Sequence, residues 1–356
     1  MRGGIMKKTL ISKMDPENID IELLKKYAGI IRDGGTVIFP TETVYGLGAN
    51  ALDEQAAEKI YRAKGRPSDN PLIVHICDIA QLDMLTDSVG EKARLVMERF
   101  WPGPVTLIFS KKKTVPYATT GGLDTVAVRM PAHPIALGLI RESGVPIAAP
   151  SANISGRPSP TRGEHVAEQM DGRVDGIILG GDCKVGVEST VIDLRGDVPV
   201  ILRPGGLSSE ELEAVVGRVE TDPAIKSADT GAAPLAPGMK YTHYSPDAQV
   251  YVVKGSGEEA ARIINRLVED NAKKGIVCGV ICTSQNSKYY DAPVKLELGY
   301  DSADAARNIF SILIEMDKRG VHVVYSESLE EKGLGAAVMN RLVKSAGYRF
   351  IEIQED

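Results

Sequence analysis

Two stretches of this chain, Thr36-Val-Ile-Phe-Pro-Thr-Glu-Thr-Val-Tyr-Gly-Leu-Gly48 and Lys64-Gly-Arg-Pro67, decide its fold. An apolar strand at 37–39 runs into a proline, three hydroxyl side chains, a carboxylate and two glycines. Ligands of open α/β sheets bind beyond the carboxyl ends of strands, so this composition predicts a small-molecule site there. Lys64 and Arg66 add positive charge near the end of the next helix. The alternative is ordinary structure, a strand, a glycine turn and a surface helix with basic residues at its end, since short motifs often mislead.

Length and composition describe a globular protein of two domains. The chain has 356 residues, of which 43% are hydrophobic and 25% charged. These values are ordinary for a folded protein and exclude wholesale disorder. The formal net charge is −6, so the surface as a whole does not attract nucleic acid or anionic membranes. Any binding to such partners requires a local basic patch.

The cysteine pattern and the lengths of the apolar runs indicate the cellular compartment in which the protein is expected. The sequence contains no CxxC pair, which favours buried, reduced thiols; the four cysteines are Cys77, Cys183, Cys278 and Cys282. Residues 1–14 lack an apolar run long enough for a signal peptide, and no window approaches ~18 consecutive apolar residues. We therefore expect a cytoplasmic protein with no membrane span and no membrane partner.

The chain is expected to alternate strands and helices in two units. Apolar spacing predicts helices over 21–33, 54–64 and 134–143, with Asp53 as the cap of the second. Three Ser/Thr-x-x-Glu patterns predict capping boxes, and they begin at Thr161, Ser208 and Ser256. In 250–350, strands alternate with helices, which predicts a mostly parallel sheet.

Domain boundaries follow from composition. Residues 221–249 are rich in proline, alanine and glycine and have no hydrophobic period, which is typical of an extended linker. Residues 237–246 are nevertheless too aromatic and basic for a passive tether. We predict a first domain at 20–210, a linker at 211–249 and a C-terminal α/β domain at 250–352. The family resemblance given below implies that the first domain is catalytic and that the linker contacts its active site.

Two arginines within apolar strands indicate an anionic ligand. A charge in a buried strand costs several kcal/mol unless it is paired, so Arg129 and Arg203 each require an anionic partner. For either residue alone a structural salt bridge explains the pattern. Together with Lys64 and Arg66 they form a set suited to carboxylate or phosphate. The sequence has no GxxxxGK[ST] loop, no GxGxxG after a strand and no metal-ligand cluster, so the residues alone predict a cationic site for an anionic small molecule.

The chain also resembles the YrdC-like family in its long, two-domain form. The motifs that carry the resemblance, in chain order, are Pro40-Thr-Glu-Thr-Val-Tyr-Gly-Leu, Lys64-Gly-Arg-Pro, Asn70-Pro-Leu, Trp101-Pro-Gly-Pro-Val-Thr, Val128-Arg-Met-Pro, Pro150-Ser-Ala-Asn-Ile-Ser-Gly, Glu188-Ser-Thr-Val, His243-Tyr-Ser-Pro and Asn340-Arg-Leu. The resemblance covers residues 20–350. It implies an α/β fold, with a twisted open sheet and a concave cationic cavity in the first domain and a smaller Rossmann-like domain after it.

The activity that the resemblance implies is synthesis of L-threonylcarbamoyladenylate from L-threonine, bicarbonate and ATP, with release of pyrophosphate. The product would feed threonylcarbamoylation of the adenosine next to the anticodon of tRNAs, so the downstream tRNA-modifying machinery is an expected partner. Weak direct binding of tRNA or other RNA stays open. Since no carboxylate cluster marks a protein-held metal, we expect Mg²⁺ to be carried by the ATP phosphates.

The resemblance also assigns roles to single residues. Threonine contacts are implied for Thr43, His75, Arg129, Ala149 and Ser189. ATP contacts are implied for Arg66, Asn70, Thr125, Ser151, Ser159, Arg203 and Tyr244. Lys64 and Arg66 are the implied catalytic pair, and Thr41, Tyr45 and Asn153 complete the site. Two points stay open, namely whether Tyr241 replaces Tyr244 and whether His75 is a base rather than a contact to the threonine hydroxyl.

Two other functions are compatible with the pattern. A non-catalytic RNA-binding module could use the cationic cavity, although the acidic pI of about 5.6 argues against it. Carbamoyl transfer in hydrogenase maturation also uses a YrdC-like unit, but it is accompanied by cysteine-rich zinc elements that this sequence lacks. We expect the C-terminal domain and the linker to gate the cavity rather than perform chemistry.

Overall fold

The computed structural model describes residues 8–225 and 244–352, which form two β-sheets with helices packed on them. The strands of the large sheet are β1 (Leu10–Lys13), β2 (Val37–Phe39), β3 (Gly46–Asn50), β4 (Ile73–His75), β5 (Val105–Ser110), β6 (Thr125–Arg129), β7 (Ile147–Ala148), β8 (Gly176–Leu179), β9 (Thr190–Asp193), β10 (Val200–Arg203) and β11 (Glu220–Thr221). The strands of the small sheet are β12 (Gln249–Val253), β13 (Cys278–Cys282), β14 (Val294–Glu297), β15 (Val323–Glu327) and β16 (Phe350–Ile351).

Helices connect most of these strands. In chain order they are α1 (Ile21–Arg32), α2 (Glu54–Lys64), α3 (Glu91–Phe100), α4 (Tyr117–Thr120), α5 (Pro134–Ser143), α6 (Gly163–Met170), α7 (Ser209–Val216), α8 (Gly257–Ala272), α9 (Ser302–Lys318) and α10 (Leu334–Ser345). Among these described helices, none is long and apolar enough to cross a membrane. The α/β fold class and the parallel pattern expected for the second unit are confirmed.

The predicted helices form for the expected local reasons. The Asp53 carboxylate accepts hydrogen bonds from the N–H groups of Gln55 and Ala56, and α2 ends at Gly65 in the left-handed conformation. Pro134 occupies the first turn of α5. The spacing of apolar residues in α1 buries Leu24, Tyr27, Ala28 and Ile31 against the core that α1 shares with α5.

Of the three predicted capping boxes, only the one at Ser208 forms. There the Ser208 hydroxyl accepts from the Glu211 N–H, and the Glu211 carboxylate accepts from the Ser208 N–H. Ser256 is the cap residue of α8 without a side-chain hydrogen bond. The prediction at Thr161 is wrong, because the Thr161 hydroxyl lies 3.0 Å from the Ser311 hydroxyl of α9 and the cap position of α6 belongs to Arg162.

The glycine-rich end of the opening motif is a strand rather than a turn. Residues 46–50 form β3, which pairs antiparallel with β2 and with β7. A Cβ on Gly48 would lie 2.6 Å from side-chain atoms of both Phe39 and Ile147. Glycine is therefore required here for close packing, and the loop of the motif is confined to residues 40–45.

The order of the large sheet is β1-β8-β2-β3-β7-β4-β6-β5-β9-β10-β11. Parallel and antiparallel pairs occur in equal measure along it. The sheet includes β1, which precedes the predicted domain start at residue 20, and β11, which lies within the predicted linker at 211–249. Residues 226–243 fall outside the described part of the chain.

The small sheet is parallel at every described pair, with the order β14-β13-β15-β12-β16. At the carboxyl end of β15 the carboxylate of Glu327 is fully buried. It accepts hydrogen bonds from the N–H of Gly257, from the N–H and hydroxyl of Thr283, from the Asn286 amide and from the Tyr290 hydroxyl. In doubly wound sheets this strand-end position is where an external ligand binds.

Helices α9 and α10 join the two units. The core around Phe310 and Leu342 also contains Val44 and Val187 of the first unit, as well as Tyr244. Gly186 packs directly on α9, and a Cβ there would lie 2.3 Å from the Arg307 Cα and 2.5 Å from the Ala306 carbonyl oxygen. The loop that contains Val44 is therefore held from behind by the C-terminal domain.

This close approach makes a stability prediction. We expect Gly186→Ala to lower the free energy of unfolding by about 2–4 kcal/mol, because the positive φ of 83° and the overpacking against α9 both oppose a side chain. The matched control is Gly144→Ala, with φ of 72° and no atom within 4 Å of the place that a Cβ would take, where about 1–2 kcal/mol is expected. Urea unfolding of both variants measures the difference, and equal losses would contradict the tight contact with α9.

Candidate active site

A cavity that is open to solvent lies on the large sheet near the C-terminal domain. Its walls are formed by Thr41, Thr43, Val44, Gly46, Lys64, Arg66, Ile73, His75, Arg129, Ala149, Pro150, Ser151, Asn153, Ser155, Gly156, Glu188, Ser189, Arg203 and Tyr244. Among these described lining residues, Lys64, Arg66, Arg129 and Arg203 have basic side chains other than histidine, and Glu188 has a carboxylate.

Strand ends place three side chains of the cavity wall. His75 and Arg129 are register partners and are the last residues of the parallel strands β4 and β6. Arg203 is the last residue of β10, which runs in the same direction as β6. Strands β2 and β7 run the other way, so their carboxyl ends lie at the opposite edge of the sheet. The reasoning from strand ends therefore holds for these three residues, and loops from the opposite edge complete the wall.

Arg129 is the most constrained cation of the site. It is 3% exposed, and its Nη1 donates to the Thr43 hydroxyl at 2.8 Å while its Nε donates to the Gly103 carbonyl at 3.2 Å. Its Nη2 lies 2.6 Å from Oε1 of the buried Glu42, an ionic contact in which the N–H is not aimed at the oxygen. The structural salt bridge considered for Arg129 thus exists, and it orients the guanidinium toward Thr43 and the cavity.

His75 is buried beside Arg129 and is neutral. Burial is the main cause that lowers its pKa to about 3, and the positive charge of Arg129 acts in the same direction. Its Nδ1 lies 3.2 Å from the Ile73 carbonyl oxygen. A neutral imidazole in this place can donate or accept one hydrogen bond toward the cavity, which suits contact with a hydroxyl group.

Lys64 holds the loop that follows β7. It is 1% exposed, and its Nζ donates to the carbonyls of Ser151 at 2.5 Å and Asn153 at 2.6 Å and to the Asn153 Oδ1 at 3.3 Å. Burial, followed by the charge of Arg66, lowers its pKa well below the usual range. Three oxygen acceptors oppose this lowering of the pKa, because only the protonated ammonium can donate to all three. They keep Lys64 charged, and Lys64 in turn fixes the Ser151 and Asn153 backbone at the cavity wall.

Arg66 and Arg203 are also held by main-chain oxygens. Arg66 donates from Nε to the Asn70 carbonyl and from Nη2 to the Pro71 carbonyl, at 3.3 and 3.0 Å. Burial is the main cause that lowers its pKa to about 10, so it remains charged at neutral pH. Arg203 donates from Nε and Nη2 to the Ser189 carbonyl and from Nη2 to the Ser189 hydroxyl. Ser189 in turn lies 2.7 Å from the Thr106 hydroxyl.

Glu188 is a lining residue that reasoning from the sequence missed. Burial raises the pKa of its carboxyl, but the opposing effects of Arg341, Arg203 and the Ser159 hydroxyl prevail and lower it to about 2. Glu188 is therefore ionised. The sequence did contain a signal for Glu188, because this residue begins one of the family motifs. Its ion-pair partner could not be predicted from local sequence, since Arg341 lies 153 positions along the chain.

Four predicted site residues lie outside the cavity walls. Tyr45 is buried and its hydroxyl donates to the Gly181 carbonyl at 2.7 Å, which is a structural role. Ser159 donates to Glu188 at 2.7 Å and so acts on the wall from behind. Asn70 is buried, with its carbonyl on Arg66 and Tyr61. Thr125 begins β6 on the same face as Arg129, about 13 Å along the strand.

Tyr244 lines the cavity, as predicted for one of the two linker tyrosines, whereas Tyr241 lies outside the described residues. Its ring packs 5.1 Å from that of Phe310, and its backbone has a φ of 65°. This conformation is uncommon for a non-glycine residue. It turns the chain so that the Tyr244 ring enters the wall between the two units.

The described residues do not fit a metal held by the protein alone. Within 8–225 and 244–352 there is no group of three or more His, Cys, Asp or Glu side chains that could hold an ion. The Glu188 carboxylate is engaged by Ser159 and Arg341.

The neutral state of His75 has a measurable consequence. Because its pKa is about 3 in the folded chain and 6.5 is the unperturbed value, the unfolded state binds more protons between these limits. The free energy of unfolding should therefore fall below pH 6.5, by about 1.4 kcal/mol per pH unit for this residue. In His75→Asn this loss is absent, so the difference in stability between the two proteins should be constant above pH 7.5 and should shift in favour of the variant as the pH falls. Urea unfolding between pH 8 and 4.5 measures it, and a difference independent of pH would contradict a neutral His75.

Comparison with known proteins identifies the family. Residues 29–205 match the family model of the Sua5, YciO and YrdC proteins, described as "Telomere recombination", and residues 207–347 match the model described as "Threonylcarbamoyl-AMP synthase, C-terminal domain". The chain is 53% identical over 339 residues to threonylcarbamoyl-AMP synthase of Pyrococcus abyssi, with 95% of this chain and 98% of the relative covered. It is 47% identical over 344 residues to the Bacillus subtilis enzyme of the same name, with 96% of each covered. The crystal structure of P. abyssi Sua5 complexed with L-threonine superposes with a TM-score of 0.93 at 52% identity, covering 97% of this chain and 100% of that one. The chain therefore belongs to the threonylcarbamoyl-AMP synthase family, in its long, two-domain form.

Proposed function

We propose that this protein is a nucleotidyltransferase that makes L-threonylcarbamoyladenylate from L-threonine, bicarbonate and ATP, with release of pyrophosphate. The observation that carries the proposal is that Arg129, which donates to the Thr43 hydroxyl, lines the same cavity as the cations Lys64, Arg66 and Arg203. The family supports it, since a relative of 52% identity has been crystallised with L-threonine.

The threonine carboxylate would bind at the Arg129 corner. The guanidinium is buried, and it is oriented by Thr43, by Gly103 and by Glu42. A planar guanidinium in a dry site is suited to a carboxylate. Thr43, Ser189 and the backbone of Ala149 surround this corner, and the neutral His75 would contact the threonine hydroxyl. We favour this contact over a role for His75 as a base, because a pKa of about 3 makes the imidazole a weak proton acceptor at neutral pH.

The nucleotide would extend from this corner toward the end of β6 where Thr125 lies. Ile73, a lining residue, is the register partner of Ala127, which lies midway between Arg129 and Thr125. Arg66 and Asn70 flank the same side through the 66–71 turn. The implied ATP contacts are Arg66, Asn70, Thr125, Ser151, Ser159, Arg203 and Tyr244, with Ser159 reaching the wall through Glu188.

The reaction then consists of two displacements held in one place. The neutral amine of threonine adds to CO₂ and loses a proton, which gives the carbamate. With bicarbonate as the donor, the C–N bond forms while the bond from carbon to the hydroxyl oxygen breaks and water leaves. A carbamate oxygen attacks the α-phosphorus of ATP, and the bond to the pyrophosphate oxygen breaks. Such a displacement depends on positioning and on neutralising phosphate charge. Lys64, Arg66 and Arg203 would supply that charge, while Mg²⁺ would arrive as part of the substrate MgATP. The product would pass to the machinery that modifies tRNA.

The first test is the requirement for three substrates. We expect pyrophosphate release only when ATP, threonine and bicarbonate are all present, because the carbamate is the nucleophile. The measurement is a coupled pyrophosphate assay, with the adenylate product identified by mass spectrometry. Pyrophosphate release at the same rate without threonine would overturn the proposal.

The second test separates charge in the cavity from charge on the same helix. Arg66→Ala and Lys64→Ala should each lower kcat/KM by about 100-fold or more, since each removes a cation or its scaffold from the phosphate side. The matched control is Lys59→Ala, because Lys59 lies on the same helix and donates to the Gly34 carbonyl away from the cavity. Circular dichroism and thermal melting confirm that the variants are folded, and activity in Arg66→Ala equal to that of the control would contradict the assignment.

A further inference from the structure

The C-terminal domain places one guanidinium directly behind the cavity. Arg341, on α10, is fully buried. Its Nε donates to Oε2 of Glu188 at 2.9 Å, and its Nη2 lies 2.8 Å from the same oxygen. Its Nη1 donates to the Pro204 carbonyl at 2.7 Å and to the Asn340 side chain at 3.1 Å. One side chain of the second unit therefore contacts two separate segments of the first.

Both of these segments carry a residue assigned to substrate. Glu188 precedes Ser189, and Pro204 follows Arg203, and Arg203 donates to both oxygens of Ser189. The Gly206 N–H donates to the Glu188 carbonyl at 3.0 Å, which ties the segments to each other. Arg341 therefore helps to fix the positions of Ser189 and Arg203, although it does not line the cavity itself.

The ring of Tyr244 is a third contact of this guanidinium. The Arg341 Cζ lies 5.4 Å from the ring centroid, within the range of a cation–π interaction. The opposite support of the ring is Phe310 on α9. The wall residue of the linker is thus held by two helices of the C-terminal domain.

Charge gives Arg341 a role beyond shape. Glu188 lines the cavity on which the triphosphate would lie, and a carboxylate there repels phosphate. Glu188 is also close enough to Arg203 for their charges to interact. Arg341 engages Oε2 of Glu188 and the Ser159 hydroxyl engages Oε1, so the carboxylate has partners other than Arg203 that compensate its charge. Without Arg341, Glu188 would compete with the nucleotide for Arg203.

We propose that Arg341 is a positioning residue, through which the C-terminal domain keeps Glu188 from opposing ATP binding at Arg203. The proposal rests on the proposed function for its kinetic readout. The competing explanation is a purely structural ion pair that joins the two units. Replacing both partners of a buried ion pair together often changes the net stability little.

The experiment is a double-variant cycle in the full-length protein. Arg341→Met removes the charge and keeps the length of the side chain, and it should raise the KM for ATP tenfold or more. The KM for threonine should change by less than threefold, because the threonine carboxylate would bind at Arg129, whose carboxylate partner is Glu42 rather than Glu188. Adding Glu188→Gln to Arg341→Met removes the competing carboxylate and should return the KM for ATP to within threefold of the wild-type value. A structural pair would instead lower the melting temperature and leave the KM for ATP unchanged, or leave the double variant as impaired as Arg341→Met.

Controls keep the result interpretable. Lys318→Met breaks the contact of Lys318 with Glu168, which also joins the two units but is remote from the cavity, and the KM for ATP should stay within twofold. If Arg341→Met does not fold, Arg341→Gln replaces it in the single and in the double variant, because glutamine removes the charge and keeps a polar side chain. The same tenfold increase in the KM for ATP and its reversal by Glu188→Gln are expected, and an unchanged KM for ATP in Arg341→Gln would overturn the proposal. Calorimetric titration of ATP into the same proteins measures affinity without turnover, so loss of the proposed enzymatic function would be recognised separately.

Discussion

The positive charge of the cavity is held mainly by main-chain carbonyl oxygens, and the rest of the first unit depends on that arrangement. Lys64 binds the carbonyls of the 151–153 loop, and Arg66 binds those of the 70–71 turn. Arg203 is held by Ser189 in the same way. A carbonyl carries a dipole but no net charge, so it can orient a buried cation without cancelling its field. The loops therefore supply carbonyl acceptors to the buried cations, and the positive charge of these cations remains available to an anion in the cavity.

Arg129 follows a different rule because it has a carboxylate partner. Glu42 faces it from behind the cavity, while Thr43 and Gly103 occupy its other donors. Glu42 and Thr43, both in the 40–45 loop, thus contact different nitrogens of the Arg129 guanidinium. The consequence is a cation with a fixed plane and reduced net charge, suited to a single carboxylate, whereas the cations held by carbonyls are suited to a polyphosphate.

Local rules in the sequence predicted the elements better than the way in which they meet. Asp53, Pro134 and Ser208 mark helix starts because capping depends on a few adjacent residues. Thr161 has the same pattern, but a hydroxyl on α9, 150 positions away, replaces the cap. Reasoning from the sequence placed Arg129 and Arg203 within strands or at their ends, and they are the last residues of β6 and β10. The alternation of strand directions, which puts the carboxyl ends of β2 and β7 at the opposite edge, is long-range information. Glu188 was missed for the same reason, since its partner belongs to the other domain.

The carboxylate of Glu327 gives the second domain an internal substitute for a ligand. It occupies the strand-end position of a parallel sheet and joins the start of α8, the residue after β13 and the 286–290 turn. Three loops that would otherwise fluctuate independently therefore share one acceptor. The amide hydrogens of Gly257 and Thr283 lie on different loops, and both depend on the same carboxylate for protection from solvent. Their exchange is thereby coupled, so the end of this sheet opens as one cooperative unit rather than loop by loop.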